Sequence, residues 1–169
     1  MKRKLIGHRK TKVAFIWIVS LLRKNKIPFL LSGGEAARLY GTKRRLADID
    51  IDIHRKNFDK LIPLVKKYIK HRPKFYKDKQ WKIYIMTLTY DGQLIDIGAK
   101  EHTMIFDHLR KKWVRLHENF ALRKMKYVYG MRIPVEDRTE LINDKKQLWR
   151  PVDRIDVERM IMAQRKKIK

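Results

Sequence analysis

The sequence contains no cysteine. That excludes disulfides, thiolate metal sites and a cysteine nucleophile, and it fits a reducing cytosol. Acids are scarce, 18 against 43 lysines and arginines, so the formal net charge is +25. No internal repeat, low-complexity run or Gly/Ser linker divides the chain, and its 169 residues are expected to form a single domain. Its core is expected at about residues 9–135, with a C-terminal helical part at about 136–165. Long apolar runs are also missing. The strongest candidate, "VAFIWIVSLL" at residues 13–22, is ten residues long, whereas a membrane helix needs about 20. It follows a basic start, as in a signal peptide, but "RKNK" stands where a small-residue cleavage site would be. It reads as a buried helix, so no membrane partner and a cytoplasmic location are expected.

A hydrophobic content of 44% argues against disorder despite 36% charged residues. The excess of positive charge favours polyanionic partners such as nucleic acid or nucleotides, although it equally fits charge spread for solubility. It thickens at the ends, in "MKRKLIGHRKTK" and "AQRKKIK", where it can hold an RNA backbone by salt-sensitive contacts or belong to frayed termini.

Residues 8–25 read as a helix, "FLLS" (29–32) as a short buried strand, Gly33-Gly34 as a turn, and "EAARLYG" as a short helix closed by Gly41. "ADIDIDIH" alternates strictly and reads as a strand. Asn57 is expected to cap a helix over about 58–69. "WKIYIMTLTY" and "QLIDIGAK" flank Asp91-Gly92, a hairpin signal. "RKKWVRLH" and "KMKYVYGMRIPV" add strands, and "ELINDKKQLW" and "DRIDVERMIMAQRK" are the closing helices, the first starting at Asp137 or Thr139. The expected class is α/β (α+β): a small mixed sheet flanked by helices.

On the alternating strand Asp48, Asp50 and Asp52 share one face and Ile49, Ile51 and Ile53 the other. Neighbouring carboxylates repel, and a cation removes that penalty. Hard oxygen ligands without cysteine select Mg²⁺ or Mn²⁺. Asp96, between Ile95 and Ile97, is the candidate third ligand from a neighbouring strand. The same alternation also fits a solvent-facing strand that binds nothing. Upstream, Ser32-Gly33-Gly34 stands between a buried strand and a helix start, where close backbone approach and free amides suit phosphate. Lys43, Arg44 and Arg45 in "GTKRR" can meet triphosphate oxygens or pair with nearby aspartates.

This constellation resembles the polymerase-β-like nucleotidyltransferase superfamily, whose pattern is a Gly-Gly or Gly-Ser turn opening a helix, an alternating two-aspartate strand and a third carboxylate on a later strand. Here those elements are Gly33-Gly34, Asp48 with Asp50, and Asp96 in "LIDIG". The resemblance is closest to the small bacterial and archaeal branch. That branch includes lincosamide and aminoglycoside nucleotidyltransferases and toxin nucleotidyltransferases of abortive-infection systems. Leu141-Ile142, Lys145, Arg150, Asp153 and Asp156 resemble its C-terminal pattern, so the likeness covers roughly residues 9–162.

The resemblance implies the polymerase-β-like fold and two-metal transfer of a nucleotidyl group from an NTP, with ATP expected, to a hydroxyl acceptor with release of pyrophosphate. Asp48 and Asp50 would bridge both ions, and Asp96 would complete the second site and help deprotonate the acceptor. Ser32, Gly33 and Gly34 would position the phosphates, Lys43, Arg44 or Arg45 would supply charge, and Lys145 would reach a phosphate. Asp153 and Asp156 are expected to be structural, as caps or partners of Arg150. Glu35 and Asp52 depart from the pattern. Glu35 is expected to point away from the phosphates, and Asp52 to lie behind the site or in solvent.

His54, His71, His102, His108 and His117 show no metal-ligand spacing. Positive charge favours RNA, such as the 3′ end of tRNA, over a cationic aminoglycoside as acceptor, because the only acidic cluster in the sequence is the metal strand. The rival is a non-catalytic RNA- or partner-binding module, or a toxin–antitoxin component, on a degenerate fold. A degenerate fold predicts lost carboxylates, and all three are present.

Overall fold

The computed structural model describes residues 8–116 and 120–165. His117 and most of the two basic ends lie outside the described residues. The elements run α1 His8–Lys24, β1 Phe29–Leu31, α2 Gly33–Leu39, β2 Asp48–Ile53, α3 Phe58–Val65, β3 Ile69–Lys77, β4 Trp81–Tyr90 and β5 Gln93–Asp107. They continue β6 Lys112–Arg115, β7 Arg123–Val128, β8 Met131–Glu136, α4 Arg138–Leu148 and α5 Pro151–Arg165. The class is mixed α+β, as the sequence suggests. The sheet is larger than expected, with eight strands ordered β3-β4-β5-β2-β1-β8-β7 and β6 pairing with β5.

The sheet is mixed because β2 runs parallel to β5, and β1 to β8, while the other pairs are antiparallel. Strand β2 shows why an alternating sequence fixes the face. Ile49, Ile51 and Ile53 are buried in one cluster with Phe15, Ile18 and Leu22 of α1 and Phe58, Leu61 and Val65 of α3. Each buried side chain of this size contributes about 1.5–3 kcal/mol. A one-residue slip would exchange isoleucines for carboxylates. The β4–β5 turn uses Asp91 and Gly92, both at positive φ (49° and 75°), the backbone that the Asp-Gly pair favours in a two-residue hairpin. Asp137 caps α4 by accepting from the Thr139 amide at 2.8 Å.

Three expectations need correction. Gly33 and Gly34 are not a turn ahead of the helix but the first residues of α2, Gly33 at positive φ. The helix beginning at Phe58 ends at Val65, and residues 66–68 form a 3₁₀ turn. Pro63 lies inside the helix and has no amide to donate to the preceding turn. Asn57 precedes the helix, but its side chain makes no capping bond. Strand β3, "IKHRPKFYK", is not foreseen from its basic, proline-containing sequence. It is an edge strand paired only with β4, and Pro73 falls in a register shift between His71 and Lys74, where a missing amide is tolerated. No helix among the described residues is long and apolar enough to cross a membrane.

Candidate active site

Parallel pairing of β2 with β5 sets Asp50 directly beside Asp96, with Asp48 one step along the same face. Carboxylate oxygens of Asp48, Asp50 and Asp96 lie within 4.8 Å of one another, and all three residues are half-buried. Crowding and burial act on their ionisation. Burial, then the charge of Asp48, pushes the Asp50 carboxyl up to about 6. Burial and Asp96 raise Asp48. Burial raises Asp96, against a 2.6 Å hydrogen bond from the Thr87 hydroxyl; Asp50 adds to the rise and His71 opposes it. Three acids that resist joint ionisation, all offering hard oxygen, fit a divalent cation such as Mg²⁺ or Mn²⁺.

The glycine turn is fitted to Asp50. Gly33 has φ of +59°, and a Cβ there would stand 1.9 Å from Asp50 Oδ2. The Gly34 amide donates to the same oxygen at 3.2 Å. Gly33→Ala is therefore expected to cost on the order of 2–4 kcal/mol, from left-handed backbone and overpacking together, and to displace Asp50. Urea unfolding and Mn²⁺ titration of the variant check both effects. Ser32 extends the strand pairing, its amide donating to Asp50 O at 3.1 Å, while its hydroxyl bonds Asp52.

The predicted cations divide into two groups. Lys43 and Arg45 are exposed on the loop before β2. Arg44 forms a two-pronged pair with Asp156, at 2.9 and 3.1 Å, yet its charge still bears on Asp48. Lys145 is buried with its ammonium 2.9 Å from Asp156 and 3.3 Å from Asp153, and its charge reaches Asp50. Asp153 also holds Arg150 at 2.7 and 3.1 Å. Arg150 is a site residue that the sequence places only as part of a motif. Its charge favours the ionised forms of both Asp48 and Asp50. Three cations thus share two buried acids beside the aspartate triad.

Asp52 belongs to a second cluster that the sequence does not reveal, so the metal strand is not the only acidic grouping. Lys100 lies 2.6 Å from Glu136 and 3.8 Å from Asp52. Asp144 adjoins them, and burial, then the charge of Glu136, pushes its carboxyl up to about 8. The native protein holds the Asp144 proton more tightly than the unfolded chain does. Its stabilising contribution is therefore full below about 3.8 and lost as pH rises through about 8. Asp144→Asn is expected to keep the fold and to flatten the decline in stability across that range. Urea unfolding at pH 5 and pH 8 measures it. Glu35 is buried and turned towards Tyr129 and Arg38, at 3.3 and 3.4 Å.

No protein-family model matches the chain, and no curated protein matches it. Solved structures do. TM1012 of Thermotoga maritima, assigned as a nucleotidyltransferase, aligns over 90% of this chain and 94% of its own, with a TM-score of 0.65 at 15% identity. ANT(2'')-Ia in complex with adenylyl-2''-tobramycin aligns over 91% and 90%, with a TM-score of 0.60 at 16% identity. An antigenic nucleotidyltransferase-like protein from Paracoccidioides brasiliensis aligns over 92% and 77%, with a TM-score of 0.59 at 18% identity. The chain has the fold of these nucleotidyltransferases.

Proposed function

We propose that the protein transfers a nucleotidyl group from an NTP, with ATP the expected donor, to a hydroxyl acceptor, with Mg²⁺ or Mn²⁺ as cofactor. The observation that carries this reading is the meeting of Asp48, Asp50 and Asp96 within 4.8 Å beside a glycine turn. Bound divalent ions would supply charge neutralisation for the attacking and leaving oxygens of an in-line displacement. Asp48 and Asp50 would hold them from one strand and Asp96 from the next. Gly33 makes room for the Asp50 carboxylate and the Gly34 amide donates to it, so the two glycines position a carboxylate that would hold metal rather than contact phosphate themselves. Arg44, Lys145 and Arg150 supply positive potential on that side. The acceptor oxygen forms a bond to the α-phosphorus, the bond from that phosphorus to the bridging oxygen breaks, and pyrophosphate leaves with the electron pair. Asp96 lies on the side remote from the glycine turn and takes the acceptor proton.

RNA is the acceptor class best matched to a chain of net charge +25. A cationic acceptor would require an accessible acidic recess. The cluster of Asp52, Glu136 and Asp144 instead lies mostly buried around Lys100.

The test is incubation with each α-³²P-labelled NTP and Mg²⁺ or Mn²⁺, with RNA, protein and small-molecule acceptors offered separately. Label passing to an RNA fraction, with pyrophosphate released, is the expected outcome. No metal-dependent transfer from any NTP to any acceptor would refute it.

A further inference from the structure

The sheet carries the Asp96 row outward to an unusual edge. His71 of β3 pairs with Thr87 of β4, Thr87 with Asp96 of β5, and Asp96 with Asp50 of β2. Directly paired residues share a face, so β3 closes the row two strands from Asp96, at about 10 Å. The glycine turn lies on the other side of Asp50, so β3 is the edge on the acceptor's side.

Strand β3 has the composition of a polyanion ledge. Ile69–Lys77 contains Lys70, His71, Arg72, Lys74 and Lys77 and no acid. Among the described residues none of Lys70, Arg72, Lys74 and Lys77 has a carboxylate partner. One exposed aromatic ring stands among them on the Asp96 side, Tyr76 at 41% exposure, while Phe75 pairs with Tyr84 and packs edge-on against its ring on the other face. The Tyr76 hydroxyl donates to Asp78 at 3.0 Å, which steadies its ring. Tyr76 pairs with Ile83 and Lys74 with Ile85, which puts them on the face of Thr87 and Asp96. Unpaired basic groups track a phosphate backbone, and fixed aromatic rings stack bases without regard to sequence.

The opposite edge, β7, is a natural comparison. It too is basic and carries an exposed aromatic, Tyr127. However, Lys124 lies 3.9 Å from Asp137, Lys126 sits over the Tyr40 ring at 4.7 Å, and Arg123 donates to the Phe120 carbonyl. Strands β8, β1, β2 and β5 separate β7 from β4.

We infer that edge strand β3 is the docking ledge for a single-stranded polynucleotide whose terminal hydroxyl meets Asp96. The inference rests on the nucleotidyl-transfer reading and adds to it the surface and the form of the acceptor. Charge complementarity selects this occupant over an apolar or cationic one, and the steadied Tyr76 ring selects an unpaired strand over a duplex.

The test uses the full chain and a fluorescein-labelled 20-nucleotide RNA, read by anisotropy in EDTA. A triple variant, Lys70→Gln, Arg72→Gln and Lys74→Gln, is compared with Arg123→Gln, Lys124→Gln and Lys126→Gln, which removes equal charge from β7. The β3 variant should weaken binding about tenfold or more and reduce the salt slope by about 2, from roughly 0.7 per lost contact. The β7 variant should change affinity less than about threefold. Tyr76→Ala, which leaves charge intact, should weaken binding about fivefold or more by loss of stacking. DNA of the same sequence separates ribose from deoxyribose strands as the ligand, and equal binding supports the ledge for single strands as such.

Equal weakening by the two triple variants would overturn the proposal. So would displacement of the RNA by poly-glutamate at the same charge concentration. Label transfer is scored separately. Absence of transfer by the wild type, with β3-dependent RNA binding intact, would defeat the activity reading. Transfer to RNA whose KM is unmoved by the β3 variant would defeat the ledge.

Discussion

Asparagine at position 48 or 50 is expected to abolish nucleotidyl transfer and, at the same time, to stabilise the metal-free protein. On the proposed reading each substitution removes a carboxylate that would hold divalent ions, so the rate should fall at least about a thousandfold, the several kcal/mol that metal stabilisation supplies. The stability gain follows from the crowding. Burial and the charge of Asp48 hold the Asp50 carboxyl at about 6, against an ordinary 3.8. The ionised triad is therefore a strained state of the metal-free protein at neutral pH. An amide at position 50 keeps an oxygen for the Gly34 amide, which now donates to Asp50 at 3.2 Å, and removes the charge.

The sign of the pH dependence follows. Because the raised value belongs to the folded protein, the Asp50 contribution to stability is full below about 3.8 and lost as pH rises through about 6. Mg²⁺ should therefore raise the melting temperature more at pH 7.5 than at pH 5, where protons compete for the ligands. Asp50→Asn should abolish that Mg²⁺ response. Thermal denaturation with and without Mg²⁺ at both pH values, beside the transfer assay, measures all three effects. A variant that transfers at the wild-type rate would contradict the account.

The second large effect is on stability. Lys145→Met is expected to destabilise the protein by about 3–5 kcal/mol, the cost of removing one member of a buried charge network. The Lys145 side chain is 5% exposed and those of Asp153 and Asp156 are 0% exposed. Without the ammonium, the two buried carboxylates keep Arg44 and Arg150 as their cations, both partly exposed, and neutral donors in the Thr42 hydroxyl and the Arg150 amide. A methionine fills the volume but leaves the charges. Urea unfolding of the variant is the measurement, and a loss below about 1 kcal/mol would show that the two arginines alone satisfy the acids. The double variant Lys145→Met with Asp156→Asn should recover part of the loss, because one stranded carboxylate is gone. The same network holds Arg44 and Arg150 beside Asp48 and Asp50.

What could be read in advance tracks how local each feature is. Strand β2 declares itself by alternation, since a strict two-residue period has one structural meaning. Asp91-Gly92 marks the β4–β5 hairpin, and "LIDIG" with its two flanking isoleucines puts Asp96 on a definable face. What no local pattern contains is which strands become neighbours. The pairing of Asp50 with Asp96 rests on β2 and β5 lying side by side; the sequence supports it only through the family resemblance.

The ion networks are legible only where they are local: the Arg150–Asp153 pair is expected from the sequence, and the rest is not. Arg44 and Asp156 are 112 residues apart. The second acidic cluster draws Asp52, Lys100, Glu136 and Asp144 from four separate elements. Strand β3 escaped for a different reason. Its lysines and Pro73 weigh against a central strand, and an edge is the one position that tolerates both.

The most direct test of the central claim counts metal ions. Electron paramagnetic resonance of free Mn²⁺, titrated with protein in the presence of a non-hydrolysable NTP analogue, should show two ions bound per chain for the wild type. Fewer than two should bind for Asp96→Asn and none at comparable affinity for Asp50→Asn. Wild-type protein that binds no Mn²⁺, or binding that both substitutions leave unchanged, would contradict a metal centre built from these three carboxylates.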